Sequence, residues 1–332
     1  MVGKQAQEMW KLLNFAYLTG ENVIFIGPPG TGKSLIVDTF CSLLGKTYFK
    51  YLLTKFTTPD EIFGVININQ YKNGIIERNI TGMLPDCQII FLDEVFKASS
   101  SILNSLLSIM NERIFFNPNP INVKVEMIVG ASNEVPTSDE LIAVYDRFLF
   151  RYFLEYLSDL ELELLLRYAN DEIDNFKFDV IKKLDINKYP KLSNEIIELL
   201  IEILVEIKRN GIIISDRRKV KLMKVLRILS IYGIDNADVR LILKSILSMD
   251  GKSFKKINDI LKKFLPDIED IKEEIRSKIG EILTNNDVEI VQKQAMLMET
   301  LKDIKAKYQQ QEIVNYAANL IQSAINKMIS DI

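Results

Sequence analysis

No histidine occurs among the 332 residues, and that absence removes Ser-His-Asp and Cys-His nucleophile systems together with every histidine-ligated metal site. Cysteine is nearly absent as well. The two present, Cys41 and Cys87, have neither C-x-x-C nor metal-ligand spacing and sit in apolar contexts, where a thiol packs as a small hydrophobe. No apolar run approaches the ~18 residues of a membrane span, and the stretch before Gly20-Glu21-Asn22 lacks the apolar core of a signal peptide, so the cytoplasm is the expected location. Charge of one sign is lacking too: 42 Lys and Arg stand against 45 Asp and Glu, a formal net charge of −3. Such a balance carries no whole-protein basic footprint for nucleic acid, although a local basic lining would be hidden in the sum. Chemistry must therefore rest on carboxylates, lysine, arginine and a bound ion.

What is abundant is aliphatic. A hydrophobic fraction of 48% over this length supports a sizeable core and two or three domains. The most informative stretch is Val23-Ile24-Phe25-Ile26, a β-branched apolar run that breaks into Gly27-Pro28-Pro29-Gly30-Thr31-Gly32-Lys33-Ser34 and then into a helical pattern over residues 35–44. Strand, Gly-rich turn and helix start are the context that the phosphate-loop pattern G-x-x-x-x-G-K-[ST] requires. Gly30 and Gly32 let successive N–H groups face one centre, and the helix N-terminus adds its positive end. Lys33 would place a point charge on the β- and γ-phosphates, and the Ser34 hydroxyl would ligate Mg²⁺. The loop reads phosphates only, so it leaves ATP and GTP equally open.

Further along, Ile89-Ile90-Phe91-Leu92-Asp93-Glu94 is a continuous apolar run ending in two acids. A strand apolar on both faces belongs in the centre of a parallel sheet, and ligands bind at the carboxyl ends of such strands. Asp93 would hold the metal ion and Glu94 would take a proton from the attacking water. The strand expected over residues 127–131 ends at Ser132-Asn133, placing an amide at the same edge to orient that water. A helix is expected over residues 5–18, with Trp10 in its packing face, and a strand over residues 48–53. Two hairpins are expected as insertions: residues 65–69 against 75–78 around Lys72-Asn73-Gly74, and residues 114–116 against 121–125 around Asn117-Pro118-Asn119-Pro120. Helical periodicity follows in residues 160–168, 194–208 and 218–230, then in two long patterns over residues 255–283 and 288–329 broken near Pro266 and Asn285-Asn286.

The set Gly27 to Ser34, Phe91-Leu92-Asp93-Glu94 and Ala131-Ser132-Asn133-Glu134 resembles the AAA+ ATPases. Phe91-Leu92-Asp93-Glu94-Val95-Phe96-Lys97-Ala98, Met110-Asn111-Glu112-Arg113, Tyr145-Asp146-Arg147-Phe148 and Ser215-Asp216-Arg217-Arg218 resemble the MoxR group and, within it, RavA-like proteins. The resemblance implies an α/β P-loop core with a parallel sheet flanked by helices at residues 1–155, an all-helical lid closing on the nucleotide at 156–250, and a helical C-terminal extension at 251–332. It implies ATP with Mg²⁺ as ligands, bound by Gly27, Pro28, Pro29, Gly30, Thr31, Gly32, Lys33, Ser34 and Leu35, with Ser34 and Asp93 at the metal. Asn133 is similar to the sensor-1 residue, Arg147 to an arginine finger acting on a neighbouring subunit, and Arg217 to the sensor-2 arginine, with Arg151 and Arg218 as the alternatives. A finger acting in trans implies a ring, expected as a hexamer, that hydrolyses ATP to remodel or chaperone a protein partner, in this family one with a von Willebrand factor A (VWA) domain. The insertions at residues 68–76 and 116–121 are then the loops that contact substrate or partner. Two other readings stay open: a slow nucleotide-operated scaffold and a motor acting on nucleic acid.

Overall fold

The computed structural model describes residues 3–157, 179–184, 189–284, 289–308 and 311–330. The chain forms two compact units, Met1–Ile260 and Leu261–Ile332. The helix expected at 160–168 and the break at Asn285-Asn286 lie outside the described residues.

The first unit opens with α1 (Lys4–Thr19), whose apolar positions are buried and which Gly20 ends in the left-handed conformation at φ 68°. Trp10 is indeed a packing residue, meeting Phe40 edge-on at 5.2 Å. Then come β1 (Val23–Ile26), α2 (Lys33–Leu44), β2 (Tyr48–Leu52), α3 (Pro59–Phe63), α4 (Ile68–Lys72), β3 (Ile89–Asp93), α5 (Ser100–Glu112), the short strands β4 (Ile114–Phe116) and β5 (Pro120–Asn122), β6 (Met127–Ser132), α6 (Asp139–Tyr145) and β7 (Phe150–Phe153). Among the described residues β2, β3, β6, β1 and β7, in that order, make a five-stranded sheet, with every neighbouring pair parallel. β1 and β6 are buried along their whole length and β3 up to Asp93, as central parallel strands covered on both faces must be. Register sets the site: Ile26 pairs Ser132 and Leu52 pairs Asp93, so the carboxyl ends of these strands share one edge.

Of the two insertions, the second is the expected hairpin, with Phe116 opposite Pro120. The first is not. Only Ile66 and Arg78 bridge as strands do, and residues 68–72, expected as part of a strand and turn, are helix α4. The cause is Asn67, whose side chain accepts from the N–H groups of Asn69 and Gln70. This is the local side-chain bond that makes Asn a helix N-cap. The insertions are tied together at their bases: Asn117 Oδ1 accepts from Arg78 N at 2.6 Å and Asn117 Nδ2 donates to Arg78 O at 3.0 Å.

Three further helices, α7 (Asn194–Arg209), α8 (Asp216–Leu229) and α9 (Asn236–Leu247), start at Ser193, Ser215 and Asp235, each a side-chain N-cap. Ion pairs Lys221–Glu21 at 2.6 Å, Lys11–Asp238 at 2.6 Å and Lys244–Glu8 at 2.8 Å join α8 and α9 to the α1 region. Next is α10 (Gly251–Phe264). The second unit contains α11 (Ile268–Thr284), α12 (Ile290–Lys307) and α13 (Gln311–Ser330), packed around Ile271, Ile275, Ile279, Leu297, Ile304 and Ile321. No helix among the described residues is long and apolar enough to cross a membrane.

Candidate functional site

The loop after β1 is shaped by close approach. Leu154 N donates to Ile26 O at 2.7 Å, and a Cβ on Gly27 would stand 2.6 Å from Leu154 O, so only glycine lets the chain leaving β7 pass the phosphate loop. Gly30 and Gly32 hold φ near 81° and 80°, which glycine adopts without steric cost, and Gly32 is the N-cap of α2. Thr31 Oγ1 donates to Pro28 O at 3.0 Å.

Lys33 is buried and its ammonium donates to Gly27 O and Pro28 O, both at 2.8 Å. Burial lowers its pKa, against the opposing pull of Asp93 and Glu94. An arriving phosphate would relieve that desolvation cost by pairing the charge. Leu35, expected with the phosphate binders, is the second residue past Lys33 and points largely to solvent at 60% exposure.

Across the cleft, Ser34 Oγ donates to Asp93 Oδ2 at 3.2 Å, and Asp93 Oδ1 accepts from Glu94 N at 3.0 Å. Ser34 and Asp93 are hard oxygen donors at one point, and no cluster of three or more Asp, Glu, Cys or His occurs among the described residues. That set fits Mg²⁺, which is held by one or two carboxylates plus substrate phosphates rather than by an all-protein cage. Glu94 sits in the left-handed region at φ 53° and ψ 43°, unusual for a residue with a side chain. Asn133 Nδ2 donates to its Oε1 at 2.5 Å. Lys33, Ser34, Asp93, Glu94 and Asn133 are thus one cluster.

The arginines lie elsewhere. Asn22, just before β1, donates through Nδ2 to Arg147 O at 3.3 Å, which puts Arg147 at the amino ends of the strands, the edge opposite the phosphate loop. Its Nη1 contacts Ala143 O at 3.5 Å, Asp146 lies 3.8 Å away, and its buried Nε has no hydrogen-bond partner. Arg113 marks the same edge, donating to Gly20 O at 3.1 Å and Glu126 O at 3.2 Å. Beside it Arg217 Nη2 reaches Asn111 Oδ1 at 3.4 Å. The two alternatives are buried. Arg151 is wholly buried, donates to Tyr145 O at 3.1 Å and Ser248 O at 3.3 Å, and covers the Tyr145 ring at 3.9 Å. Arg218 donates to Ile246 O at 2.8 Å and Leu149 O at 2.6 Å. Burial, then the nearby charge of Arg151, pushes its pKa down to about 9. Asp146 Oδ1 lies 3.4 Å from both guanidinium groups.

One wall of the site was not foreseen. A cleft of about 500 Å³ beside the loop is lined by Gln5, Pro28, Asn133, Lys244, Phe254 and Asn258, among others. Phe254 and Asn258 belong to α10, which the sequence assigned to a C-terminal extension; Phe254 packs edge-on against Tyr152 at 5.4 Å. The amphipathic spacing of Phe254, Ile257 and Leu261 was the available signal, but periodicity names a buried face without naming what covers it.

A family profile described as the MoxR domain in the MoxR-vWA-beta-propeller ternary systems matches residues 1–193. An uncharacterised protein of Methanocaldococcus jannaschii is 36% identical over 322 residues, covering 87% of this chain and 84% of its own. The chaperone MoxR1 of Mycobacterium tuberculosis is 27% identical over 163 residues, 45% of this chain and 41% of its own. A solved structure of a candidate ATPase from Cytophaga hutchinsonii shares the fold at TM-score 0.55 and 21% identity, covering 79% of this chain and 89% of its own. A parallel sheet in this order, with a phosphate loop after β1, acids ending β3 and an asparagine after β6, defines an AAA+ nucleotide-binding core. Within that class the chain belongs to the MoxR family.

Proposed function

We propose that this protein hydrolyses ATP with Mg²⁺ in a ring of its own copies, and that the cycle remodels a partner carrying a VWA domain. The observation that carries hydrolysis is the bond from Asn133 to Glu94 at 2.5 Å, set beside the Ser34–Asp93 contact at 3.2 Å. Both contacts support the reading in which Glu94 is the base, Asn133 the amide that orients water, and Ser34 and Asp93 the metal ligands around one cradle. Lys33 exchanges its loop carbonyls for phosphate oxygens and neutralises charge on them. Glu94 takes a proton from the water that attacks the γ-phosphorus, the bond to the bridging oxygen breaks, and ADP leaves with that electron pair. Ser34 and Asp93 would hold Mg²⁺, which when bound supplies further neutralisation of the phosphate oxygens.

The ring reading is supported by where Arg147 lies. A strand of 4–6 residues at ~3.3 Å each separates it from its own phosphate loop, so it is suited to the γ-phosphate of an adjacent copy. Arg217 at the same edge is suited to the same interface rather than to the nucleotide of its own chain. The partner reading is supported by the ternary systems for which the family profile is described, and by the exposed Ile68, Tyr71, Ile76 and Phe116 of the two insertions.

The test is Glu94→Gln. With ATP, this variant should hold nucleotide, form the larger assembly on gel filtration, and retain an added VWA-domain protein while failing to remodel that protein. Full function with ATP merely bound would overturn the remodelling cycle in favour of a scaffold.

A further inference from the structure

The general base has a second partner that the reaction above leaves unused. Lys97 Nζ stands 3.4 Å from Glu94 Oε2, while Asn133 holds the other oxygen. Backbone geometry produces this contact. Glu94, in its left-handed conformation, caps the single 3₁₀ turn Val95–Lys97, and Lys97 N donates to Glu94 O at 2.9 Å. That i to i+3 backbone bond closes the turn and brings Lys97 back beside Glu94. The turn is anchored on the side away from the cleft: Val95 is fully buried and Phe96 meets the Tyr145 ring edge-on at 5.9 Å.

Stability does not explain the pairing. The Lys97 side chain keeps 54% of its exposure, and ion pairs so exposed contribute little to folding. Orientation does explain it. A carboxylate offers about four lone-pair sites, so an amide donor on one oxygen and an ammonium charge beside the other bias its orientation and still leave it able to accept from water. Were the Asn133 amide to turn toward a γ-phosphate, Lys97 would be the cation left beside the base.

We propose that Lys97 is a positioning residue for Glu94, holding the carboxylate toward the attacking water once Asn133 engages the phosphate. This rests on Glu94 being the base in ATP hydrolysis. A misplacement of about 1 Å at a reacting group costs up to ~10²-fold in rate. A lysine that only steadies the turn would instead change folding or nucleotide affinity.

The experiment measures the single-turnover rate of ATP cleavage and the dissociation constant for a fluorescent ATP analogue in full-length wild type, Lys97→Met, Lys97→Arg, Glu94→Gln and the Lys97→Met/Glu94→Gln double variant. The expected result is a cleavage rate lowered roughly tenfold or more in Lys97→Met, with affinity unchanged, most of the rate regained in Lys97→Arg, and no further loss when Lys97→Met is added to Glu94→Gln. Wild-type rate in Lys97→Met, or an equal fractional loss in both backgrounds, overturns the positioning role. Wild-type rate in Glu94→Gln would show that the base assignment itself has failed, and this role with it. A melting temperature for each variant separates misfolding from either outcome.

Discussion

The amide of Asn133 donates to the carboxylate of Glu94 across 2.5 Å, joining the loop after β6 to the turn after β3. In the proposed reaction one residue positions water and the other takes its proton, so each should matter for rate and little for nucleotide affinity. General acid–base catalysis contributes typically ~10²–10⁴-fold. Glu94→Gln should lose a factor in that range in kcat, Asn133→Ala a smaller one, and both should bind nucleotide like wild type. Steady-state phosphate release and equilibrium nucleotide titration check this together.

Arg147 lies at the sheet edge away from its own loop, so its removal should act between copies. ATPase rate per subunit should rise cooperatively with protein concentration in wild type. Arg147→Ala should lose that rise, with the ~10³–10⁵-fold worth of a trans arginine as the upper limit. Mixing Arg147→Ala with Glu94→Gln should restore part of the activity, because each supplies what the other lacks. A rate indifferent to concentration and to Arg147 would mean that each subunit works alone.

Adjacent arginines in α8 should separate by thermal denaturation. Arg218 donates to buried carbonyls at Ile246 and Leu149, and breaking a buried charge network by removing one partner costs roughly 3–5 kcal/mol. Arg218→Ala should therefore be strongly destabilised. Arg217→Ala removes only the contact with Asn111 and should stay within about 0.5 kcal/mol of wild type, as surface changes do.

Lys33 carries a pKa lowered in the fold by burial, so its ammonium form is disfavoured there relative to the unfolded chain. Lys33→Met should melt no lower than wild type while losing the stabilisation that added ATP provides. The sign with pH follows: over the alkaline range the unfolded chain binds the extra proton, so wild-type stability relative to Lys33→Met rises with pH. Thermal melts at neutral and alkaline pH, with and without ATP, read both effects.

None of the residues of α4 is buried, so deleting residues 69–74 should leave the melting temperature and basal ATPase near wild type. If the insertion contacts the partner, the same deletion should abolish partner capture. A deletion that keeps both ATPase and remodelling would remove the insertion from the partner surface.

Much of the fold was legible because its signals are local. The strand run before Gly27 and the run ending at Asp93 are continuous in sequence, and α3 and the β4–β5 hairpin carry their own turn chemistry. The insertion at residues 65–78 was misread because alternating Ile and Asn look like a strand, whereas the Asn67 cap bends the backbone into a helix. The wall of the cleft from Phe254 and Asn258 was illegible because nothing nearby in sequence says that a helix starting at Gly251 returns to β7.

By itself the sequence determined the phosphate loop and its acids, because consecutive glycines, Lys33 and Ser34 dictate backbone curvature and charge within a few residues. Only the tertiary structure decided which residues meet. β6 lies between β3 and β1, and that brings Asn133 to Glu94. Packing beneath β7 buries Arg151 and Arg218 against carbonyls and leaves Arg147 and Arg217 at the far edge. Four arginines with the same chemistry differ in burial and hydrogen-bond partners because these are set by strand order and helix docking, which no stretch of the chain encodes alone.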